Sequence, residues 1–319
     1  MGGPASEQDG PFFLDMKRRM VSAKSRGLTA GARLERWLPQ IVVSPLFAAS
    51  LFFVYGFIAW TAYVSFTRSG VMPDYGWAGL VQYERLWATP RWYVALGNLF
   101  IFSSLFILLC TAVGVLLAVL LDQRIRAEGV IRTIYLYPMA LSFIVTGTAW
   151  KWILNPGLGI ERLVRPAGFE SFTFDWLVNP RFAIYTVVIA GVWQSSGYVM
   201  ALFLAGLRSV DDEILKAAAI DGAGAMRTYL TVGLPIVRPM FFSSFVILAH
   251  LAIKSFDLVI ALTGGGPGYA TDMPATFMYA FAFQRSELGT AAASAVMMLA
   301  TIMAIIVPYL YSELRVRSA

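Results

Sequence analysis

Few side chains in this 319-residue chain could do chemistry inside an apolar segment: His250, Lys254 and Asp257, and Gln194 and Ser195 with Ser196 beside Trp193. Charge at hydrocarbon depth is expensive, so such groups face a cavity or a partner. On one helix His250, Lys254 and Asp257 stand at i, i+4 and i+7 and share a face, and Lys254 can pair with Asp257 at i, i+3. Amides and charged groups hydrogen-bond hydroxyls, while aromatic faces cover C–H surfaces. The two patches are therefore expected to line a path for a hydroxyl-rich solute. A second reading stays open, in which Lys254 and Asp257 form a structural ion pair against another helix.

Catalytic chemistry has little to stand on. Asp211, Asp212 and Glu213 are adjacent carboxylates, but short acidic residues at that place suit a helix N-terminus better than acid–base work. The run LTGGGPG at 262–268 has the glycines of a phosphate cradle without the Gly-Lys-Ser/Thr that a P-loop needs. Neither His-Glu-x-x-His nor Gly-x-Ser-x-Gly occurs. One His (His250) and one Cys (Cys110) exclude a Cys/His-based metal site and an intrachain disulfide. No catalytic residue, metal or chain-bound cofactor is expected. Cys110 reads as a small core residue, and packing or a hydrogen bond is the default for His250.

The elements that position these residues belong to a membrane protein. Hydrophobic residues make up 58% of the chain and charged ones only 14%, with a mean hydropathy of +0.66; soluble domains carry about 25% charged residues. Apolar runs of about 20 residues, enough to span a bilayer, occur near 41–66, 95–121, 133–154, 182–207, 239–262 and 288–311. The fold class expected is all-α and polytopic, with six transmembrane helices. The first run is too long for a signal-peptide core and starts late, so it reads as a retained helix.

Charge placement orients the helices. With the N-terminus inside, sixteen of the 25 Lys and Arg residues fall in inside segments and seven in outside ones, while Lys151 and Lys254 lie within runs. Both termini and the segment 208–238 are then cytoplasmic. Residues 1–36 form an N-terminal tail with a possible amphipathic patch at 12–20, and 37–315 form the membrane domain. The net charge of +6 gathers at membrane edges, in Lys17, Arg18, Arg19, Lys24, Arg26, Arg33 and Arg36. Anionic lipid accounts for it without nucleic acid. Lys151 is expected to snorkel, and Trp37 and Tyr309 to act as interfacial anchors.

Residues 213–239, EILKAAAIDGAGAMRTYLTVGLPIVRP, are polar and small between two apolar runs. A helix starts at Asp211–Asp212 and continues through Ala217, Ala218 and Ala219, strong helix formers with almost no side chain. Gly222 and Gly224 interrupt it, and a second short helix at 225–231 leads to Pro235 and Pro239. A helix, a glycine turn and a helix with a small-residue face let another protein approach the backbone closely, as a docking knob would.

The order Ala217-Ala218-Ala219-Ile220-Asp221-Gly222-Ala223, followed by Leu234-Pro235 and Pro239, resembles the cytoplasmic "EAA" loop of permease subunits of ABC importers. Lys216 stands where that family usually has Glu. The segment 262–267 is similar to the "LTGGGP" run of sugar-type permeases. The stretches WKWILNPGLG at 150–159, VWQSSG at 192–197, LAIKSFD at 251–257 and PYLY at 308–311 resemble permeases of glucose/mannose importers in particular.

The resemblance covers roughly residues 38–315 and implies a type I ABC importer permease fold in the bacterial inner membrane, working by alternating access. It implies a coupling loop at Glu213, Lys216, Ala217, Ala218, Asp221, Gly222, Ala223, Leu234 and Pro235 that docks on an ATP-binding subunit. Gly264, Gly265, Gly266 and Pro267 form a periplasmic turn. ATP and Mg belong to two ATP-binding subunits, and the other partners implied are a second, usually non-identical permease, a periplasmic sugar-binding protein and the lipid bilayer. Disaccharide and polyol permeases share the family, and the binding protein largely sets specificity. Two other classes weigh against this one. An ion-coupled secondary transporter would show internal repeats, and a membrane-bound enzyme would show clustered His, Asp or Glu. Neither signal is evident here.

Overall fold

Backbone amides and carbonyls have no water to bond inside a bilayer, so apolar runs fold as helices whose breaks must be met by other protein groups. The computed structural model describes residues 30–317 except Pro73 and Arg124, without the side chains of 30–39, 41, 310 and 312–317. Most of the expected tail, with the patch at 12–20, lies outside those residues, as does the side chain of Trp37. The chain divides into two units at Trp60 and Thr61. The first holds most of helix α1 (Ala30–Ser65), which begins well before the run expected at 41–66. All later helices belong to the second.

The helices of that second unit follow in order: α2 (Val81–Ala88), α3 (Pro90–Asp122), α4 (Glu128–Leu136), α5 (Phe143–Ile153), α6 (Ile160–Val164), α7 (Ala183–Leu207), α8 (Asp212–Ile220), α9 (Ala225–Thr228), α10 (Leu234–Ile236), α11 (Arg238–Ile253), α12 (Asp257–Leu262), α13 (Pro274–Tyr279) and α14 (Leu288–Arg317). Among the described residues four helices are long and apolar enough to cross a membrane (in α1, α3, α7 and α14), and two bent pairs bring the total to six if each is one span. The expected helix at 133–154 is one of those pairs, bent by 103° between α4 with its 3₁₀ turn and α5. The helix expected at 239–262 is also interrupted. α11 ends at Ile253, and α12 starts at Asp257.

Local chemistry explains the first break. Pro138 removes a donor and crowds the preceding turn, and the chain closes a 3₁₀ turn at Tyr137–Ala140 before Leu141 extends at ψ 148°. Ser142 restarts the helix by accepting a hydrogen bond from the Val145 amide at 3.3 Å, an N-cap. The break leaves the Leu141 carbonyl without a helical partner, and the Gln194 side-chain amide on α7 donates to it at 2.8 Å. Gly197, one turn further along α7, makes room: a Cβ there would collide with the Tyr135 carbonyl.

The core lies between α3 and α7, which form the most extensive helix pairing. Phe102, Phe106, Cys110, Val199, Met200 and Phe203 are buried there. Gly114 lets the two helices close, since a Cβ would stand 2.6 Å from the Val199 side chain. Gly147 does the same between α5 and α12, where a Cβ would come within 2.7 Å of Ala261. A smaller cluster joins α2, α3, α13 and α14 through Leu86, Trp92, Phe277, Phe281 and Ala293. Without a hydrophobic drive between helices in lipid, such small-residue approaches supply much of the packing.

Gly197→Ala should therefore destabilise the protein by about 1–3 kcal/mol, the usual penalty for overpacking. Thermal unfolding of the detergent-purified chain measures it, and a curve superimposable on the wild type would contradict the close approach described here.

Candidate functional site

The helix–glycine–helix stands as the sequence implies. Asp211 has extended backbone and accepts a hydrogen bond from the Glu213 amide at 2.9 Å, capping α8. Asp212 and Glu213 occupy the first turn, where carboxylates complement the helix dipole. Gly222 ends the turn at φ +78°, a left-handed conformation that any L side chain resists. Gly224 takes a different part. Its φ of −68° is ordinary, and it sits at the N-cap of α9. The second helix expected at 225–231 is shorter in α form. It runs to Thr228 and widens into a π turn over Tyr229–Gly233 before α10. Pro235 and Pro239 flank the bend of 67° into α11.

No residue of α8 or α9 is buried. Lys216, Ala217 and Asp221 are exposed, Ala218 and Ala223 are half-buried, and Leu234 is half-buried beside exposed Pro235. Ile220 is 86% exposed, Met226 70% and Leu230 57%. Apolar side chains presented to that degree on a small-residue scaffold mark an interaction surface.

Sequence reasoning missed how this segment is held. Tyr229 Oη donates to Asp122 Oδ2 at 2.8 Å. Arg208, just past α7, meets Glu128 at 2.8 Å and Asp122 at 3.7 Å, and donates to the Leu121 carbonyl at 3.4 Å. The hydrogen bond to Glu128, with its charge and that of Asp122, raises the Arg208 pKa above its ordinary value. Nothing local in the sequence signals these pairs, because Asp122 and Tyr229 are joined only by the tertiary fold.

Of the expected pathway residues, Lys254 and Asp257 share one cavity, and Trp193, Gln194, Ser195 and His250 do not line it. A cavity of about 160 Å³ opens at the α11–α12 break, lined by Phe102, Phe106, Phe143, Lys254, Phe256 and Asp257 among others. Lys254 and Asp257 are both exposed into it, and among the described residues no ion pair joins them. The break removes the continuous helix on which their i, i+3 pairing depended, so the structural-pair reading gives way to two separate charges. Ser255 Oγ is buried beside them without a hydrogen-bond partner. His250 is exposed on α11 but does not line this cavity. Ser195 and Ser196 are buried within α7. Gln194 is committed through one end to Leu141, while its Oε1 has no partner. Trp193 meets Trp150 edge-on at 5.9 Å between ring centres.

The glycine run forms a tight turn. Gly264, Gly265 and Gly268 have φ of +66°, +88° and +62°, with Gly266–Pro267 between them. Thr271 satisfies its backbone: the Thr271 amide donates to the Gly265 carbonyl at 3.2 Å and its hydroxyl to the Gly266 carbonyl at 3.0 Å. The next residue, Asp272, is buried and bound to Arg91 at 2.6 Å and 3.2 Å. The Arg91 guanidinium also lies 4.4 Å over the Tyr269 ring, and the Asn98 amide donates to the Tyr269 and Asp272 carbonyls. The turn is thereby fixed to the start of α3. Among the described residues no group of three His, Cys, Asp or Glu could hold a metal ion. Lys151 is exposed on α5, and Cys110 is buried.

Known proteins agree with this architecture. A family model described as binding-protein-dependent transport system inner membrane component matches residues 111–317. A probable ABC transporter permease protein of Pyrococcus horikoshii is 37% identical over 278 residues, spanning 86% of this chain and 95% of that protein. The xylose/arabinose import permease protein XacH of Haloferax volcanii is 38% identical over 264 residues, 82% of this chain and 83% of that protein. A crystal structure of a bacterial ABC transporter involved in the import of the acidic polysaccharide alginate shares the fold. One of its chains has a TM-score of 0.78 at 19% identity, over 89% of this chain and 97% of that one. By sequence and by fold, then, the chain belongs to the binding-protein-dependent transport system inner membrane components, the multi-pass permease subunits of ABC transporters.

Proposed function

We propose that this chain is one of two permease subunits of an ATP-driven sugar importer, paired with a non-identical second permease. Two separate subunits bind and hydrolyse ATP with Mg, and a periplasmic binding protein delivers the sugar. The observation that carries the reading is the exposed helix–glycine–helix at Asp212–Ile220 and Ala225–Thr228. The distribution of Lys and Arg favours a cytoplasmic position for it, with both termini on the same side. ATP-driven closure of the partners would move this segment, and the bundle with it, between outward- and inward-facing states. Lys216 in place of the family's usual Glu alters the charge offered to the partner.

The substrate we infer is a monosaccharide of the glucose/mannose type. The stretches at 150–159, 192–197, 251–257 and 308–311 support it, and the xylose/arabinose relative supports monosaccharides more generally. Lys254 and Asp257, beside Phe256, offer charged hydrogen-bonding groups and an aromatic ring at one cavity. That is the chemistry sugar hydroxyls and C–H faces require. Trp193, Gln194, Ser195 and His250 remain candidates for other stretches of the path. The glycine turn at 264–267 would face the binding protein.

The test is to purify the tagged chain in mild detergent from its native membrane and assay ATP hydrolysis with the binding protein. The expected result is a co-purifying second permease and ATPase, stimulated by binding protein loaded with glucose. Stimulation by xylose alone would keep the importer and replace the hexose with a pentose; purification without any ATPase would overturn the docking role. In the same system Gly222→Val should abolish uptake while leaving the chain in the membrane, because its left-handed φ costs about 1–2 kcal/mol with a side chain and the turn would open. Wild-type uptake by that variant would contradict the loop's role.

Lys254→Met is expected to lower sugar uptake roughly tenfold or more, the effect of losing one charged hydrogen bond, with complex assembly intact. Unchanged uptake would remove Lys254 from the path.

A further inference from the structure

The docking segment has to pass its movement to the membrane helices, and the structure offers few polar links through which it can do so. Among the described residues, side-chain hydrogen bonds and ion pairs from 208–238 to α3 and α4 come from two residues only, Arg208 and Tyr229. Arg208 and the two carboxylates sit where three helices end or begin. Asp122 is the last residue of α3, Glu128 the first of α4, and Arg208 immediately follows α7.

Helix dipoles explain why these residues gather. Arg208 at the C-terminal end of α7 and Glu128 at the N-terminal end of α4 both complement the local field. Asp122 opposes it, since a carboxylate at a helix C-terminus is disfavoured. It is held there by one donor, the Tyr229 hydroxyl at 2.8 Å, and by the charge of Arg208 at 3.7 Å. Asp122 and Glu128 side chains are 19% and 25% exposed, so water screens the group only in part. Beside the cluster, a cavity of about 340 Å³ lined by Leu207, Val210, Leu215, Ala219, Ala223 and Tyr229 interrupts the apolar contact between the docking segment and α7. Leu215, Tyr229 and Leu234 still pack against the core beside Leu207 and Val210. The polar cluster adds directional links to that partial apolar contact.

We propose that Asp122, Glu128, Arg208 and Tyr229 form a clamp that makes the docking segment and the adjoining ends of α3, α4 and α7 move as one body. Tyr229 and Arg208 are positioning residues in this scheme. They touch neither sugar nor ATP but set how much of the ATPase stroke reaches the pathway. The proposal rests on the docking reading above.

The least invasive test is Tyr229→Phe, which removes one hydroxyl from the full importer reconstituted in liposomes with its ATPase, second permease and binding protein. Uptake of labelled glucose (or labelled xylose, if the pentose is the stimulating sugar) is measured together with ATP hydrolysis. The expected result is normal assembly and continued hydrolysis, with sugar imported per ATP reduced by roughly tenfold, the factor one hydrogen bond to a charged acceptor can hold. Asp122→Asn keeps an acceptor oxygen for Tyr229 and should retain more of the ratio than Tyr229→Phe does. A wild-type ratio in Tyr229→Phe would overturn the clamp. Loss of assembly in that variant would overturn it too, because the hydroxyl would then hold the fold rather than transmit motion. Failure of the docking reading looks different, since the wild-type chain itself would then recruit no ATPase.

Discussion

An amide or carbonyl in hydrocarbon has no water to fall back on, so each interruption of a spanning helix has to be answered by another part of the protein. That constraint accounts for much of this structure. The bend between α4 and α5 exposes the Leu141 carbonyl, and Gln194 meets it across from α7. For that amide to reach, the helices must approach closely, and Gly197 permits it. The turn after α12 has its carbonyls met by Thr271 and its following carboxylate by Arg91. The break between α11 and α12 leaves side-chain polar capacity unmet. Ser255 Oγ is left without a partner, and Lys254 and Asp257 face a cavity instead of each other. Unmet polar capacity at a break suits a hydroxyl-rich solute, and it is the ground for the proposed path there.

The proposed docking segment is under the opposite constraint. In the aqueous position proposed for it, its backbone needs no protein partner, so α8 and α9 can be short and unburied, with Asp211 capping one end and Gly222 reversing the chain at the other. In the proposed role the segment needs rigidity towards the bundle and apolar surface towards a partner. Arg208 and Tyr229 supply the first through Asp122 and Glu128. Ile220, Met226 and Leu230 supply the second. Leu215, Leu234 and Val237 face the core while Ile220, Met226 and Leu230 stay exposed, and that second apolar surface fits an element completed by another subunit.

Features set by neighbouring residues were legible in the sequence. The Asp211 cap, the Gly222 turn, the apolar runs and the prolines at 235 and 239 each depend on a few adjacent positions. Four of the six runs appear as long helices, while those at 133–154 and 239–262 are broken, because a hydropathy window averages across a break: Pro138 lies at the first, but its 103° consequence was not legible. The i, i+3 pairing of Lys254 with Asp257 assumed a helix that stops at Ile253. Gln194 read as a group for solute, whereas one end serves Leu141, 53 positions away in sequence. The clamp was invisible for the same reason. Asp122 and Tyr229 are 107 positions apart, and only the pairing of α3 with α7 brings their ends together.

The central claim is that α8 and the turn after it form a surface completed by an ATP-binding subunit. The chain's single cysteine, Cys110, is buried, so Ala217→Cys would place one reactive thiol on the exposed helix. Its rate of maleimide labelling, compared between the isolated chain and the assembled complex, tests the claim most directly. Strong protection in the complex, with a rate that changes when ATP binds, is the result predicted. Equal labelling in both states, with the ATPase demonstrably present, would contradict it.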